Sequence, residues 1–170
     1  MVPSELSEKR CPPPDQGRYG HEVRTPTAMQ PFIPDDTTTI DEAVGQKVVE
    51  AARAQLPCEA CGLLFGQKTT KGVEILGAEI CANTTTSDPC QSFAISPTNW
   101  IDSWRMAEES GLEVVGVWHS HPGGTAELSA KDLARAWPEH VQMIAAIESN
   151  GAASLHVFRI RSRDRYAEAP

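Results

Sequence analysis

Proline placement divides this chain. Of its 13 prolines, seven stand before residue 37: Pro3, Pro12, Pro13, Pro14, Pro26, Pro31 and Pro34. Few apolar positions recur with any period in that stretch. Such a segment cannot bury enough surface to offset its own ordering entropy. Residues 1–36 therefore read as a flexible, Pro-rich N-terminal arm, with a docking segment for a partner as the alternative. The fold must come from residues 37–170. The whole chain of 170 residues suffices for one domain with a real core and not comfortably for two.

Beyond the arm, short apolar runs alternate with helical periods. Residues 39–56, TIDEAVGQKVVEAARAQL, place Ile40, Val44, Val48, Ala51 and Leu56 near a helical repeat, with Thr39 as a candidate cap and Pro57 just past the end. The runs CGLLFG and VEILGAEIC, separated by the polar QKTTKG, predict an antiparallel hairpin. QSFAI, residues 91–95, predicts a further strand. A second helix is expected from Pro97, capped by Ser96 and stopped by Gly111. EVVGVW predicts a strand, SAKDLARAW a third helix ending before Pro138, and VQMIAAIE with ASLHVFRI a hairpin turning at Asn150-Gly151. The fold class is α/β of the α+β type, with a mixed, largely antiparallel sheet and about three helices.

Lys and Arg number 15 and Asp and Glu 23, a net charge of -8. That balance argues against nucleic acid and against an anionic membrane surface as partners. No run approaches the ~20 apolar residues of a membrane span, and Met1–Pro14 lacks the apolar core of a signal peptide. Five cysteines at irregular spacing make a poor disulfide framework and read as reduced thiols of a cytoplasmic protein, several of them buried. Cys58 and Cys61 form a C-x-x-C around Glu59, which also reads as a redox pair or half a metal site; no partner pair with zinc spacing accompanies it. Trp100, Trp104, Trp118 and Trp137 read as core or rim packing, His140 and His156 as bystanders. The basic RIRSRDR run reads as a charged edge that blocks strand pairing.

The chemistry concentrates in VVGVWHSHPGGTAELSAKDLARA. His119 and His121 stand two apart at the end of an expected strand, so alternation puts both imidazoles on one face. After a Pro122-Gly123-Gly124 loop, Asp132 enters the first turn of a helix. Two imidazoles and a carboxylate would hold a tetrahedral zinc and leave its fourth position open, as a catalytic site requires. The plainer readings remain beside this one. A histidine pair is often mere surface, and Ser129 with Asp132 spells a helix capping box. A serine that caps a helix is also rigidly held, so the two readings of Ser129 are compatible.

His119-Ser120-His121, seven residues, Ser129, two residues and Asp132 resemble the JAMM signature of the MPN-domain zinc metalloproteases. Glu59, just before a glycine and an apolar strand, matches the glutamate that signature requires upstream. The resemblance covers roughly residues 39–161 and leaves out the arm. It implies a single MPN domain of cytidine-deaminase-like fold, a catalytic domain over 37–170, and one zinc per chain. It implies His119, His121 and Asp132 as metal ligands, Glu59 as general base for the water on the zinc, and Ser129 as donor to the oxyanion.

The family hydrolyses peptide or isopeptide bonds after the C-terminal Gly-Gly of ubiquitin and its relatives. This chain lacks the insertions after Asp132 that grip a second ubiquitin, and it is similar to the compact, stand-alone bacterial members. The resemblance therefore implies a zinc peptidase or isopeptidase that processes or deconjugates a ubiquitin-like protein, sometimes beside activating and conjugating enzymes. The alternative is a hydrolase on a ubiquitin-like sulfur carrier, releasing groups such as cysteine from its tail. A non-catalytic MPN scaffold is a third reading, which the complete signature disfavours.

Overall fold

A computed structural model describes residues 32–34 and 37–160 of the chain. Its elements are β1 (Phe32–Pro34), β2 (Thr38–Ile40), α1 (Glu42–Ala54), β3 (Cys61–Thr69), β4 (Gly72–Cys81), α2 (Pro97–Glu109), β5 (Glu113–Pro122), α3 (Ala130–Arg135), β6 (Val141–Ile147) and β7 (Ala153–Ile160). The seven strands form one sheet in the order β1-β7-β6-β5-β3-β4-β2. The β2/β4 and β5/β6 pairs are parallel and the rest antiparallel. The α+β class, the mixed and largely antiparallel sheet and the three helices are thus as the sequence implies. No described helix is long and apolar enough to cross a membrane.

Helices cover both faces of the sheet. On one face Val44, Val48 and Ala52 of α1 pack with Leu64, Ile75, Val115, Trp118 and Met143. On the other, Ala107 of α2 packs with Cys61, Leu63, Phe65, Val117 and Phe93. Double coverage explains the unbroken apolar runs of β3 and β5, whose residues are buried whichever way they point. Trp118 is wholly buried, and its indole Nε1 donates to the Glu79 carbonyl at 2.9 Å. That indole needs Gly62 beside it, since a Cβ there would stand 2.4 Å from Nε1. Trp104 and Trp137 lie half exposed on the rim, where Trp137 stacks on Trp100.

Several expectations need correcting. Thr39 lies in β2, and α1 is capped by Asp41, whose carboxylate accepts from the amides of Ala43 and Val44. QSFAI is not a strand; it belongs to the irregular connection between β4 and α2. Its Ala94 bonds to Asn83 and Thr84 rather than to a ladder. β1 comes from the stretch expected as arm and pairs with β7, so Phe32–Pro34 adds to the sheet. Proline is tolerated there because β1 is an edge strand. The rest of the expected arm lies outside the described residues, as does the basic run beyond Ile160. Arg159, read as part of a blocking edge, instead faces Ile33 in the β1/β7 register.

Cysteine chemistry also departs from the expectation. Cys58, Cys61 and Cys81 are free thiols, but Cys90 is disulfide-bonded. Cys61 is completely buried in β3 and burial pushes its thiol up to about 12, which makes it inert. Cys61 is sealed in the core and Cys58 is partly buried, so the two thiols of the C-x-x-C differ in their access to solvent.

Candidate metal centre

The two histidines leave the sheet at its centre. β5 lies between β3 and β6, and its buried run continues through His119 and Ser120. Strand alternation places His119 and His121 on the same face, with their Nε2 atoms 3.0 Å apart. Ser120 points the other way. Its Oγ accepts from the Ala60 amide at 2.8 Å, and its own amide donates to the Ala60 carbonyl. The middle residue of His-Ser-His thus fastens the segment that carries Glu59. β5 then stops at a turn in which Gly123 and Gly124 take φ of 105° and 82°, values that a side chain disfavours.

Asp132 arrives from α3. The capping box expected from the sequence is present: Ser129 Oγ accepts from the Asp132 amide at 3.3 Å, and the Ser129 amide donates to Asp132 Oδ2 at 2.7 Å. This exchange fixes the carboxylate, which is 8% exposed. Oδ1 lies 3.4 Å from His119 Nε2 and Oδ2 lies 3.6 Å from His121 Nε2. Among the described residues, His119, His121 and Asp132 form a group able to hold a metal ion.

These separations test the fit. A tetrahedral zinc with ligands at ~2.0–2.2 Å requires its donors to stand about 3.3–3.6 Å apart. The two imidazole nitrogens, 3.0 Å apart, fall a few tenths of an ångström short of that; each has one Asp132 oxygen at 3.4 or 3.6 Å, and one donor atom from each residue lies within 4.8 Å of the others. Protonation agrees as well. His121 Nδ1 lies 2.9 Å from the Thr125 carbonyl, which can only accept. The neutral ring therefore carries its proton on Nδ1 and turns the Nε2 lone pair toward the group.

Burial and hydrogen bonding set the charges. Burial holds His119 below its usual value, against the pull of Asp132. Burial also works to lower His121, but hydrogen bonds to Asp132 and Thr125 outweigh it and raise the ring. Asp132 is likewise opposed by burial, yet its contacts with both imidazoles and Ser129 hold it well below the carboxylate range. An ionised carboxylate beside two imidazoles is the donor set a divalent cation needs, and binding a cation would displace any proton that His121 holds on Nε2.

Glu59 is 7% exposed, and burial pushes its carboxyl up to about 7, with His121 opposing. Its backbone is held on both sides: its amide donates to the Pro89 carbonyl at 2.8 Å and its carbonyl accepts from Asn83 Nδ2 at 3.0 Å. Glu59, His121, Thr125, Glu127, Ser129 and Lys131 line one cleft of about 530 Å³. All five residues singled out in the sequence therefore meet at one place. His140 and His156 do not join them; they bond locally to the Pro138 carbonyl and the Ser154 hydroxyl.

Sequence reasoning missed the supporting residues. Ser120 had a signal, since a small polar residue between two same-face histidines must point into the opposite layer. Thr125 acts through its carbonyl, which no residue type announces. Asn83, Phe93 and Arg135 lie far from the motif in sequence.

The chain is similar to several known proteins. Residues 41–162 match the family model described as prokaryotic homologs of the JAB domain. The chain is 30% identical over 98 residues to a desampylase of Haloferax volcanii, covering 57% of this chain and 68% of that protein. It is 34% identical over 82 residues to a desampylase of Pyrococcus furiosus, covering 47% of this chain and 54% of that one. The solution structure of a Salinibacter ruber protein superposes with a TM-score of 0.53 at 26% identity, over 79% of this chain and 94% of that chain. A solution structure from Desulfitobacterium hafniense shares the fold, with a TM-score of 0.58 at 24% identity over 69% and 89% of the two chains. With the family model matched over most of its length, the chain belongs to the prokaryotic JAB-domain family.

Proposed function

We propose that this protein is a zinc-dependent peptidase or isopeptidase that hydrolyses the bond after the C-terminal Gly-Gly of a ubiquitin-like protein. The observation that carries this reading is the convergence of His119, His121 and Asp132 beside a cleft lined by Glu59 and Ser129. The two desampylases among its relatives support hydrolysis as the reaction.

His119, His121 and Asp132 would hold one zinc per chain. When bound there, zinc supplies Lewis acidity and brings the pKa of water from 15.7 to about 7. Glu59 takes the proton of the attacking water and later returns it to the leaving amine. A carboxyl near neutrality suits both halves of that task. Ser129 Oγ accepts from the Asp132 amide, so its own hydrogen remains free to donate to the substrate carbonyl oxygen as charge develops. A tail without Cβ atoms would approach these groups most closely, and a misplacement of about 1 Å costs roughly 10²-fold in rate.

Mass spectrometry tests this directly. Ubiquitin-like and sulfur-carrier proteins ending in Gly-Gly plus a short extension are incubated with the enzyme, beside versions ending in Gly-Ala and Ala-Ala. Cleavage confined to the Gly-Gly forms is expected. Equal rates for all three would refute the reading and leave a general peptidase. Cleavage of sulfur carriers alone would select the sulfur-carrier alternative.

A further inference from the structure

The two imidazoles are oriented by different means. His121 is tied through Nδ1 to the Thr125 carbonyl. His119 is wholly buried, and its Nδ1 has no hydrogen-bond partner among the described residues. The ring of Phe93 lies over it instead, with centroids 4.5 Å apart and planes inclined by 22°.

Phe93 sits on the irregular connection between β4 and α2, which has no strand ladder to fix it. Side chains fix it. Arg135 Nη1 donates to the Phe93 carbonyl at 2.7 Å and to Ser92 Oγ at 3.3 Å. Asn83 uses its whole amide: Nδ2 donates to the carbonyls of Glu59 and Ser92, and Oδ1 accepts from the amides of Thr85 and Ala94. Arg135 stands one turn beyond Asp132 on α3. α3 has six residues, too few to hold a position unaided. The clasp from Arg135 to Phe93 therefore joins the helix bearing the carboxylate to the ring covering the imidazole.

We infer that Phe93 is a metal-positioning residue: its stacked ring orients His119, whose Nδ1 has no hydrogen-bond partner among the described residues, and Arg135 couples that ring to the helix of Asp132. This rests on reading the site as a metal centre. The terminal torsion of histidine has a broad, shallow preference. Without a flat surface against it, the His119 ring samples orientations that turn Nε2 away from the group. Loss of an outer partner of a metal-bound histidine typically lowers metal affinity about 10–100-fold.

The test uses the full chain, with zinc affinity from chelator competition and the visible spectrum of the Co²⁺-substituted protein. Phe93→Leu fills the space without a planar face and should weaken zinc binding by about 10-fold or more, with an altered Co²⁺ spectrum. Phe93→Tyr keeps the ring and should stay close to wild type. Arg135→Gln should weaken binding in the wild-type background and add little to Phe93→Leu, since both act on one contact. Urea midpoints confirm that each variant is folded. Wild-type affinity and spectrum in folded Phe93→Leu, or equal losses in Phe93→Tyr and Phe93→Leu, would overturn the inference alone. A wild-type protein that binds no ion losable by His121→Ala would overturn both the inference and the metal reading.

Discussion

Glu59 links the chemistry of the cleft to a measurable stability. Its carboxyl is nearly buried, and that burial raises it from 4.5 to about 7. The folded protein therefore holds the Glu59 proton more tightly than the unfolded chain. For an acid with a raised value, the stability is fully present below the unfolded value and is lost as pH rises through the folded one. With a rise of about 2.5 units at 1.36 kcal/mol each, ionised Glu59 costs the metal-free fold about 3 kcal/mol at pH 8. Between pH 5 and pH 8 the change is about 2.5 kcal/mol, because a small part is already lost by pH 5. Glu59→Gln removes this group without changing its shape. Urea denaturation of the chelator-treated protein at pH 5, 6.5 and 8 gives the stability of each form. The wild type should lose stability relative to Glu59→Gln as pH rises, by that amount. The difference cancels the titrations that do not sense Glu59 and keeps its coupling to His121 and Asp132 as part of what is measured. Stoichiometric zinc should shrink the difference, since a nearby cation favours the carboxylate. Parallel pH profiles for the two metal-free proteins would refute the reasoning: Glu59 would then be solvated, and no base poised near neutrality.

Purified protein should carry about one zinc per chain by metal analysis, and His119→Ala or Asp132→Ala should lose most of it; stoichiometric zinc in the double variant at His119 and His121 would refute the ligand set. Ser129→Ala should lower kcat by about 10²-fold or more with little change in KM, because the oxyanion exists only along the reaction path. The same change removes the cap of α3, so thermal melting should show a loss of about 1 kcal/mol. Ser120→Ala leaves the buried Ala60 amide without its acceptor and should destabilise the fold by about 1–3 kcal/mol in urea titration, although Ser120 touches neither metal nor substrate.

The motif was legible because its spacing is local. Strand alternation alone puts His119 and His121 on one face, and Ser-x-x-Asp is a helix start whatever surrounds it. Those two short-range rules already deliver three donors to neighbouring elements. The second helix was equally plain, since Ser96, Pro97 and Gly111 mark its two ends within the chain itself.

Errors arose where competing local signals were settled by distant partners. Thr39 can cap a helix, but it pairs beside β4 and leaves the cap to Asp41. QSFAI has the residues of a strand, yet the central strands beside it are already flanked on both sides. β3 already lies between β4 and β5, and Asn83 and Arg135 claim the groups of the 92–94 segment instead. Phe32–Pro34 has too little pattern to register as a strand, and it becomes one because β7 offers an open edge.

The sequence by itself determined the class of fold, the ends of the second helix, and the placing of His119 and His121 on one strand face with Ser129 and Asp132 at a helix start. Each depends on periods and spacings of a few residues. Tertiary structure alone decided that Glu59, some 60 positions from His121, lines the same cleft as that histidine with its carboxyl near neutrality. It also decided that Phe93 lies on His119 and that Arg135 ties it to α3. Burial and stacking are properties of what the chain packs against, and that is set only when a seven-stranded sheet closes between its helices.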